Sequence, residues 1–304
     1  TSGKYVSELL KRTTKAVIEI EHLTRTFGAK KALDDVCLVI PRGSVFGLVG
    51  ENGAGKSTLI KHVLGLWRAQ TGRVRVFDMD PVSRPADVLR RIGYLSEQPD
   101  LPEWMRVYEF LRYTSAFHPA WDEAYADALR RQFGLDPNAR IGTLSKGQRA
   151  KLGLIAAQAH RPDLLLLDEP SSGLDPIVRR DILEAVIRAV AEEGRTVLFS
   201  SHLLDEVERV SDQLAMLHRG RLILCAPLDQ IKERHSRVML RFAAPLTQAP
   251  SIGGAFFIGG SGQDWTAICD SASVAASIAF DGIGATILDE EPASLDEIFV
   301  AHSA

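Results

Sequence analysis

The chain has 304 residues, of which 45% are hydrophobic and 25% charged, with a formal net charge of -3. That is the balance of a globular protein with room for one large domain and one small one. It excludes wholesale disorder and argues against a dedicated nucleic-acid binder, which carries a basic footprint.

The first fifteen residues hold no long apolar stretch and do not resemble a secretory signal. Val6, Leu9 and Leu10 beside Lys11 and Arg12 suit a short amphipathic helix or a solvated tail, and residues 1–15 are read as an N-terminal extension. Residues 17–20 mix apolar and acidic positions and read as an edge strand, and residues 36–40 as a second strand. Residues 45–49 are apolar and bounded by Gly43 and Gly50, the pattern of a buried strand. From Lys56 the period turns helical, with Leu59, Ile60, Val63 and Leu64 on one face and Gly65 at the stop.

Residues 85–160 read as mainly helical, the candidates being 107–117, 122–133 and 145–159. Alternation then resumes: strand 164–167, helix 177–193, strand 196–200, helix 203–210, strands 213–217 and 221–225. Strand and helix in alternation mean a parallel sheet covered by helices, so the long helical stretch is an insertion into it. After residue 230 the texture changes. A basic run, a strand at 238–242, a Gly-rich turn region at 253–262 and an Ala-rich helix at 274–280 read as a small α+β appendage, 231–304. The three cysteines, Cys37, Cys225 and Cys269, stand far apart without a CxxC pair, so the spacing shows neither a disulfide framework nor a zinc site. No run of about 18 apolar residues is long enough to span a bilayer.

The segment Gly50-Glu51-Asn52-Gly53-Ala54-Gly55-Lys56-Ser57 matches GxxxxGK[ST], with Thr58 following. Its glycines let backbone N–H groups curl around phosphate oxygens. The helix that follows turns its positive N-terminus on the same anion. Lys56 can reach the β- and γ-phosphates, and Ser57 can offer its hydroxyl oxygen to Mg²⁺. Downstream, four leucines at 164–167 run into Asp168 and Glu169. Alone, this pair could equally open a helix. Behind a phosphate loop it lies at the carboxyl end of a parallel strand, where ligands sit. Asp168 is then placed to hold Mg²⁺ through water and Glu169 to orient or deprotonate the attacking water.

Together with Leu144-Ser145-Lys146-Gly147-Gln148, which is similar to an LSGGQ signature with Lys146 in place of a glycine, these motifs resemble the ATP-binding cassette (ABC) ATPases. The resemblance runs from about residue 17 to 229. It implies a P-loop NTPase fold: a parallel-sheet core, an antiparallel β subdomain and a helical insertion at about 97–160, forming an ATPase domain over 16–230. A small accessory domain follows over 231–304. Ser145 can cap the helix it opens, and the resemblance sets Ser145, Gly147 and Gln148 against the γ-phosphate held by a second subunit. Asp175, in Ser172-Gly173-Leu174-Asp175, looks like the D-loop acid that links the two sites. His202 looks like the switch histidine on the γ-phosphate, and Phe27 like the aromatic that stacks on adenine. Where the family carries its Q-loop glutamine, this chain has Glu97 followed by Gln98, and either can approach Mg²⁺ and the water.

Phe117-His118-Pro119-Ala120-Trp121-Asp122, the signature variant and the tail motif at 294–299 are similar to the ATPase subunits of bacterial ABC-2-type exporters, including the YtrB-like group. The resemblance implies Mg·ATP hydrolysis at composite sites of a head-to-tail dimer, with a second copy or a paralogous ATPase. It implies separate integral-membrane permease subunits and a peripheral place on the cytoplasmic face of the inner (plasma) membrane. The alternatives are a soluble ABC ATPase acting on nucleic acid or ribosomes, and a P-loop kinase. The first usually carries two cassettes or a long coiled-coil insertion, and the second needs neither Ser145 nor His202.

Overall fold

A computed structural model describes residues 16–191, 194–271 and 284–303. The tail expected at 1–15 and the helix expected at 274–280 lie outside the described residues. The chain divides into two compact units between Leu222 and Ile223, within β9 (Arg221–Pro227).

In the first unit, β1 (Ala16–Phe27), β2 (Lys30–Pro41) and β4 (Thr71–Val76) form an antiparallel sheet in the order β2-β1-β4. The strand expected at an edge is therefore the central one. Its acidic residues oppose a basic strand: the half-buried Glu19 pairs with Arg75 and the exposed Glu21 with Arg73. The short, charged β4 carries too few apolar residues to be read as a strand from sequence.

The second sheet of this unit is parallel. β3 (Val45–Val49), β5 (Ile92–Leu95), β6 (Leu164–Asp168), β7 (Thr196–Ser201) and β8 (Gln213–His218) lie in the order β5-β6-β7-β3-β8. Every residue of β3, β6 and β7 is buried, which is why these strands read as continuous apolar runs. Helices α1 (Lys56–Val63), α6 (Pro176–Ala191) and α7 (Leu204–Val210) connect and pack on them. Between β5 and β6 the chain makes α3 (Val107–Ser115), α4 (Glu123–Gln132) and α5 (Lys146–Gln158), the helical insertion; α2 (Pro85–Leu89) precedes β5. The adjacency β6-β7-β3 matters most for function. It brings the carboxyl ends of three strands side by side, with Asp168 in register with Ser200 and Val49 with Ser201.

In the second unit, β10 (His235–Leu246), β11 (Ala255–Asp270) and β12 (Ala285–Pro292) form an antiparallel sheet in the order β11-β10-β12, with α8 (Leu228–Arg234) before it and α9 (Leu295–Ser303) after it. Val238, Leu240, Phe242, Trp265 and Cys269 build its core. The Gly-rich segment read as a turn region is largely strand: β11 runs through it, and the register shift between Arg241 and Leu246 pairs Leu246 with Gly262. The glycines there accommodate an irregular ladder rather than reverse the chain. Among the described residues, no helix is long and apolar enough to cross a membrane.

Candidate nucleotide site

The loop between β3 and α1 is built around its glycines. Gly55 caps α1 with φ 117°, and a Cβ there would fall 2.4 Å from the carbonyl oxygen of Ala32. Only glycine meets both conditions. The first turn of α1 holds no acidic residue and no side chain caps it, so its free N–H groups present an anion-seeking end.

Lys56 follows at once and is buried. Its Nζ donates to the carbonyls of Gly50 at 2.6 Å and Glu51 at 3.2 Å, and lies 3.0 Å from Oε1 of Glu169. The last contact is an ion pair without hydrogen-bond alignment, since Oε1 accepts no aligned bond. Glu169 also accepts from Nδ1 of His202 at 2.7 Å through its other oxygen. One buried carboxylate therefore joins the phosphate loop to the residue after β7. Glu169 stands at φ 51°, a left-handed conformation that costs a non-glycine residue about 1–3 kcal/mol. Its N–H donates to both the carbonyl (3.1 Å) and the hydroxyl (3.0 Å) of Ser200, which hold it there.

Asp168 is buried next to it. Burial pushes its carboxyl above the usual carboxylate range, opposed by hydrogen bonds from Ser200 and Ser57. The Ser200 hydroxyl donates to Oδ1 at 2.8 Å. A buried carboxylate bonded to the Ser57 hydroxyl is a hard oxygen donor set, which fits Mg²⁺; Ser57 and Asp168 would hold the ion.

A cleft of about 430 Å³ opens over these groups, lined by Phe27, Lys30, Ala32, Asn52, Gly53, Gly55, Lys56, Ser57, Thr58, Glu97 and Glu169. Of the two Q-loop candidates, Glu97 lines it and Gln98 does not. Glu97 Oε1 accepts from the Ser172 hydroxyl at 3.1 Å, while Gln98 is exposed outside the lining. Phe27 is 42% exposed at the mouth, its ring edge-on to Trp67 at 5.2 Å. Gly50, Ala54, Asp168 and His202 support the cleft without lining it.

Ser145, Gly147, Gln148 and Asp175 also lie outside the lining. Ser145 opens α5 with a reciprocal capping box: the Gln148 N–H donates to its hydroxyl at 3.2 Å and its own N–H donates to the Gln148 side chain at 2.9 Å. Lys146, which replaces a glycine of the signature, donates to the carbonyl of Ser172 at 2.7 Å. Asp175 accepts from the N–H groups of Ile177 and Val178 at the start of α6.

Two residues of the site escape a reading of the sequence. Ser200 touches both acids, which only the β6–β7 register makes visible. Glu206, 1% exposed, accepts from the hydroxyls of Ser171 at 2.5 Å and Ser201 at 3.1 Å, tying the segment after Glu169 to the one before His202.

A phosphate loop between a central parallel strand and its helix, with two acids at the end of a nearby strand, defines a nucleoside-triphosphate-binding cassette of the P-loop class. Residues 33–172 match the family described as ABC transporter. The ABC transporter ATP-binding protein NatA of Bacillus subtilis (strain 168) is 35% identical over 227 residues, 71% of this chain and 92% of that protein. YtrB of the same organism is 26% identical over 285 residues, covering 94% of this chain and 97% of that protein. A solved ATP-binding subunit of an ABC transporter superposes with a TM-score of 0.65 at 32% identity, covering 71% of this chain and 92% of that one. The chain belongs to the ABC transporter ATP-binding family. It is an ATP-binding and ATP-hydrolysing subunit, working with Mg²⁺.

Proposed function

We propose that this chain is the ATPase subunit of an exporter, with residues 16–230 as the ATPase domain and 231–304 as an accessory domain. The observation that carries the assignment of roles is the placement of Glu169 between Lys56 and His202. ATP enters the cleft with its phosphates on the free N–H groups of the loop and α1. The γ-phosphate replaces Glu169 and the loop carbonyls as the partner of Lys56. Released from Lys56 but still on His202, Glu169 orients and deprotonates the attacking water. Ser57 and Asp168 would hold Mg²⁺, which would supply positive charge to the phosphate oxygens, and Glu97 reaches the same region from the cleft wall. Phe27 stacks on the adenine.

Ser145, Gly147, Gln148 and Asp175 lie off the cleft of their own subunit, which supports a role on the ATP of a second copy or a paralogue in a head-to-tail dimer. A dimeric structure is known for a bacterial cassette of the same fold, at 22% identity. A permease partner fits the relatives. BcrA of Bacillus licheniformis, 30% identical over 225 residues (73% of this chain, 74% of that protein), is named for bacitracin transport. CbiO1 of Clostridium perfringens, 25% identical with a TM-score of 0.63, is part of a larger transporter complex. On the helical insertion Trp104, Tyr108, Tyr113 and Phe117 are all exposed, and Tyr113 packs on Phe117 with ring centroids 5.1 Å apart, side chains suited to contact with a permease segment. Such docking places the chain peripherally on the cytoplasmic face of the inner (plasma) membrane.

ATP turnover of the purified wild type and of Glu169→Gln, with the molecular mass in Mg·ATP, tests this reading. Loss of turnover together with a stable ATP-bound dimer supports it. Undiminished turnover would remove Glu169 as the base.

A further inference from the structure

Away from the nucleotide cleft, the β1–β2 pair gathers three side chains that the sequence scatters. His22 lies on β1, and Asp35 and Cys37 lie on β2. One ligand atom from each, a ring nitrogen, a carboxylate oxygen and a thiol sulfur, falls within 4.8 Å of the others. His22 Nδ1 is 2.8 Å from Asp35 Oδ1, and the His22 N–H donates to Cys37 Sγ at 3.3 Å. None of the three lines the cleft.

The backbone that presents them is unusual. The ladder slips between Ile20 and Leu23, and both His22 (φ 49°) and Asp35 (φ 57°) adopt the left-handed conformation. Each is unfavourable for a residue with a side chain. Neighbours hold it in place. Gly72 lets the bulge pass, for a Cβ there would lie 2.3 Å from the carbonyl oxygens of both Glu21 and His22. The Asp35 N–H donates to the Thr24 hydroxyl at 3.0 Å. The bulge aims His22 at a carboxylate and a sulfur on the neighbouring strand.

We propose that His22, Asp35 and Cys37 form a surface site for a late first-row divalent cation, Zn²⁺ above all. Imidazole, thiolate and carboxylate are the ligands zinc takes, and three protein ligands leave a fourth tetrahedral position for water. On binding, Cys37 gives its thiol proton to solvent and the ion replaces the His22–Asp35 contact. A search for CxxC spacing misses the site because its ligands meet across an antiparallel pair rather than along one strand.

The test uses the full, untagged chain with Co²⁺ as a spectroscopic stand-in for Zn²⁺. A saturable thiolate-to-cobalt charge-transfer band at one ion per chain is expected, removed by competing Zn²⁺. Cys37→Ser should abolish the band, and Zn²⁺ should raise the thermal midpoint of the wild type but not of this variant. His22→Asn and Asp35→Asn, which tolerate the left-handed backbone, should weaken Zn²⁺ binding by at least about tenfold. Co²⁺ at the Mg²⁺ site gives no thiolate band, so the two sites are told apart. Absence of the band in the wild type, its survival in Cys37→Ser, or undiminished affinity in both asparagine variants would reduce the cluster to a surface ion pair beside a thiol.

Discussion

Lys56 Nζ and Glu169 Oε1 stand 3.0 Å apart, with side chains only 5% and 7% exposed, so the cation of the phosphate loop and the acid at the end of β6 form a buried ion pair. Each has further partners, the Gly50 carbonyl for Lys56 and His202 for Glu169, so exchanging one arrangement for the other leaves neither charge stranded. Glu169→Gln weakens the competition for Lys56 and removes a negative charge facing the phosphates. ATP affinity should therefore hold or rise, while turnover falls about 10²–10⁴-fold, the usual worth of a positioned general base. Nucleotide titration and steady-state hydrolysis on the same variant separate the two effects.

Lys56→Ala loses the charge-assisted bonds to phosphate, which are worth about 1.5–3 kcal/mol. ATP should bind roughly ten- to a hundredfold more weakly. The variant also leaves buried Glu169 with His202 alone as its side-chain partner, so a lowered melting temperature is expected as well. Equilibrium binding with a fluorescent ATP analogue measures the first effect and calorimetry the second.

Ser200 supplies a hydroxyl to both acids, donating to Asp168 and accepting from the Glu169 N–H. Ser200→Ala should cost about 1–2 kcal/mol of stability. It should lower kcat more than it raises the KM for ATP, since it touches the acids and not the nucleotide cleft. Ser200→Thr, which keeps the hydroxyl, should recover much of the rate.

The phosphate loop, the Asp168-Glu169 pair and the signature helix are legible in the chain because each is a contiguous pattern with its own local physics. Ser200 and Glu206 are not, because their roles exist only once β6 and β7 lie side by side and α7 folds back on their ends. Glu97 and Gln98 are likewise polar neighbours in sequence, and only the fold shows that Glu97 lines the cleft while Gln98 does not. The central place of β1 was hidden for a related reason: its acidic residues suit an edge until the arginines of β4 come opposite them. Strand order is a long-range property, and hydrophobic periodicity carries none of it.

The helical insertion holds a second testable feature. His118 and His160 stack with ring centroids 3.9 Å apart, and His160 Nε2 donates to the Ile92 carbonyl on β5. Burial, and then the charge of His118, bring the His160 imidazole down from 6.5 to about 4. Burial also lowers His118. Between those limits the unfolded chain binds more protons than the native one, so stability rises with pH there. The contribution is full above about pH 6.5 and is lost as pH falls toward about 4. Denaturant midpoints followed across that window should fall with acidity in the wild type and fall less in His160→Gln.

The composite site is tested most directly by mixing two inactive variants. Lys56→Ala disables the phosphate loop and Ser145→Arg obstructs the signature helix, so each homodimer should be nearly silent. A mixed dimer pairs the intact loop of the Ser145→Arg chain with the intact signature helix of the Lys56→Ala chain. ATP hydrolysis measured on the mixture should rise well above the sum of the separate proteins. If the mixture hydrolyses no more than that sum while the two variants still associate, each site is complete within one chain, and the head-to-tail account is contradicted.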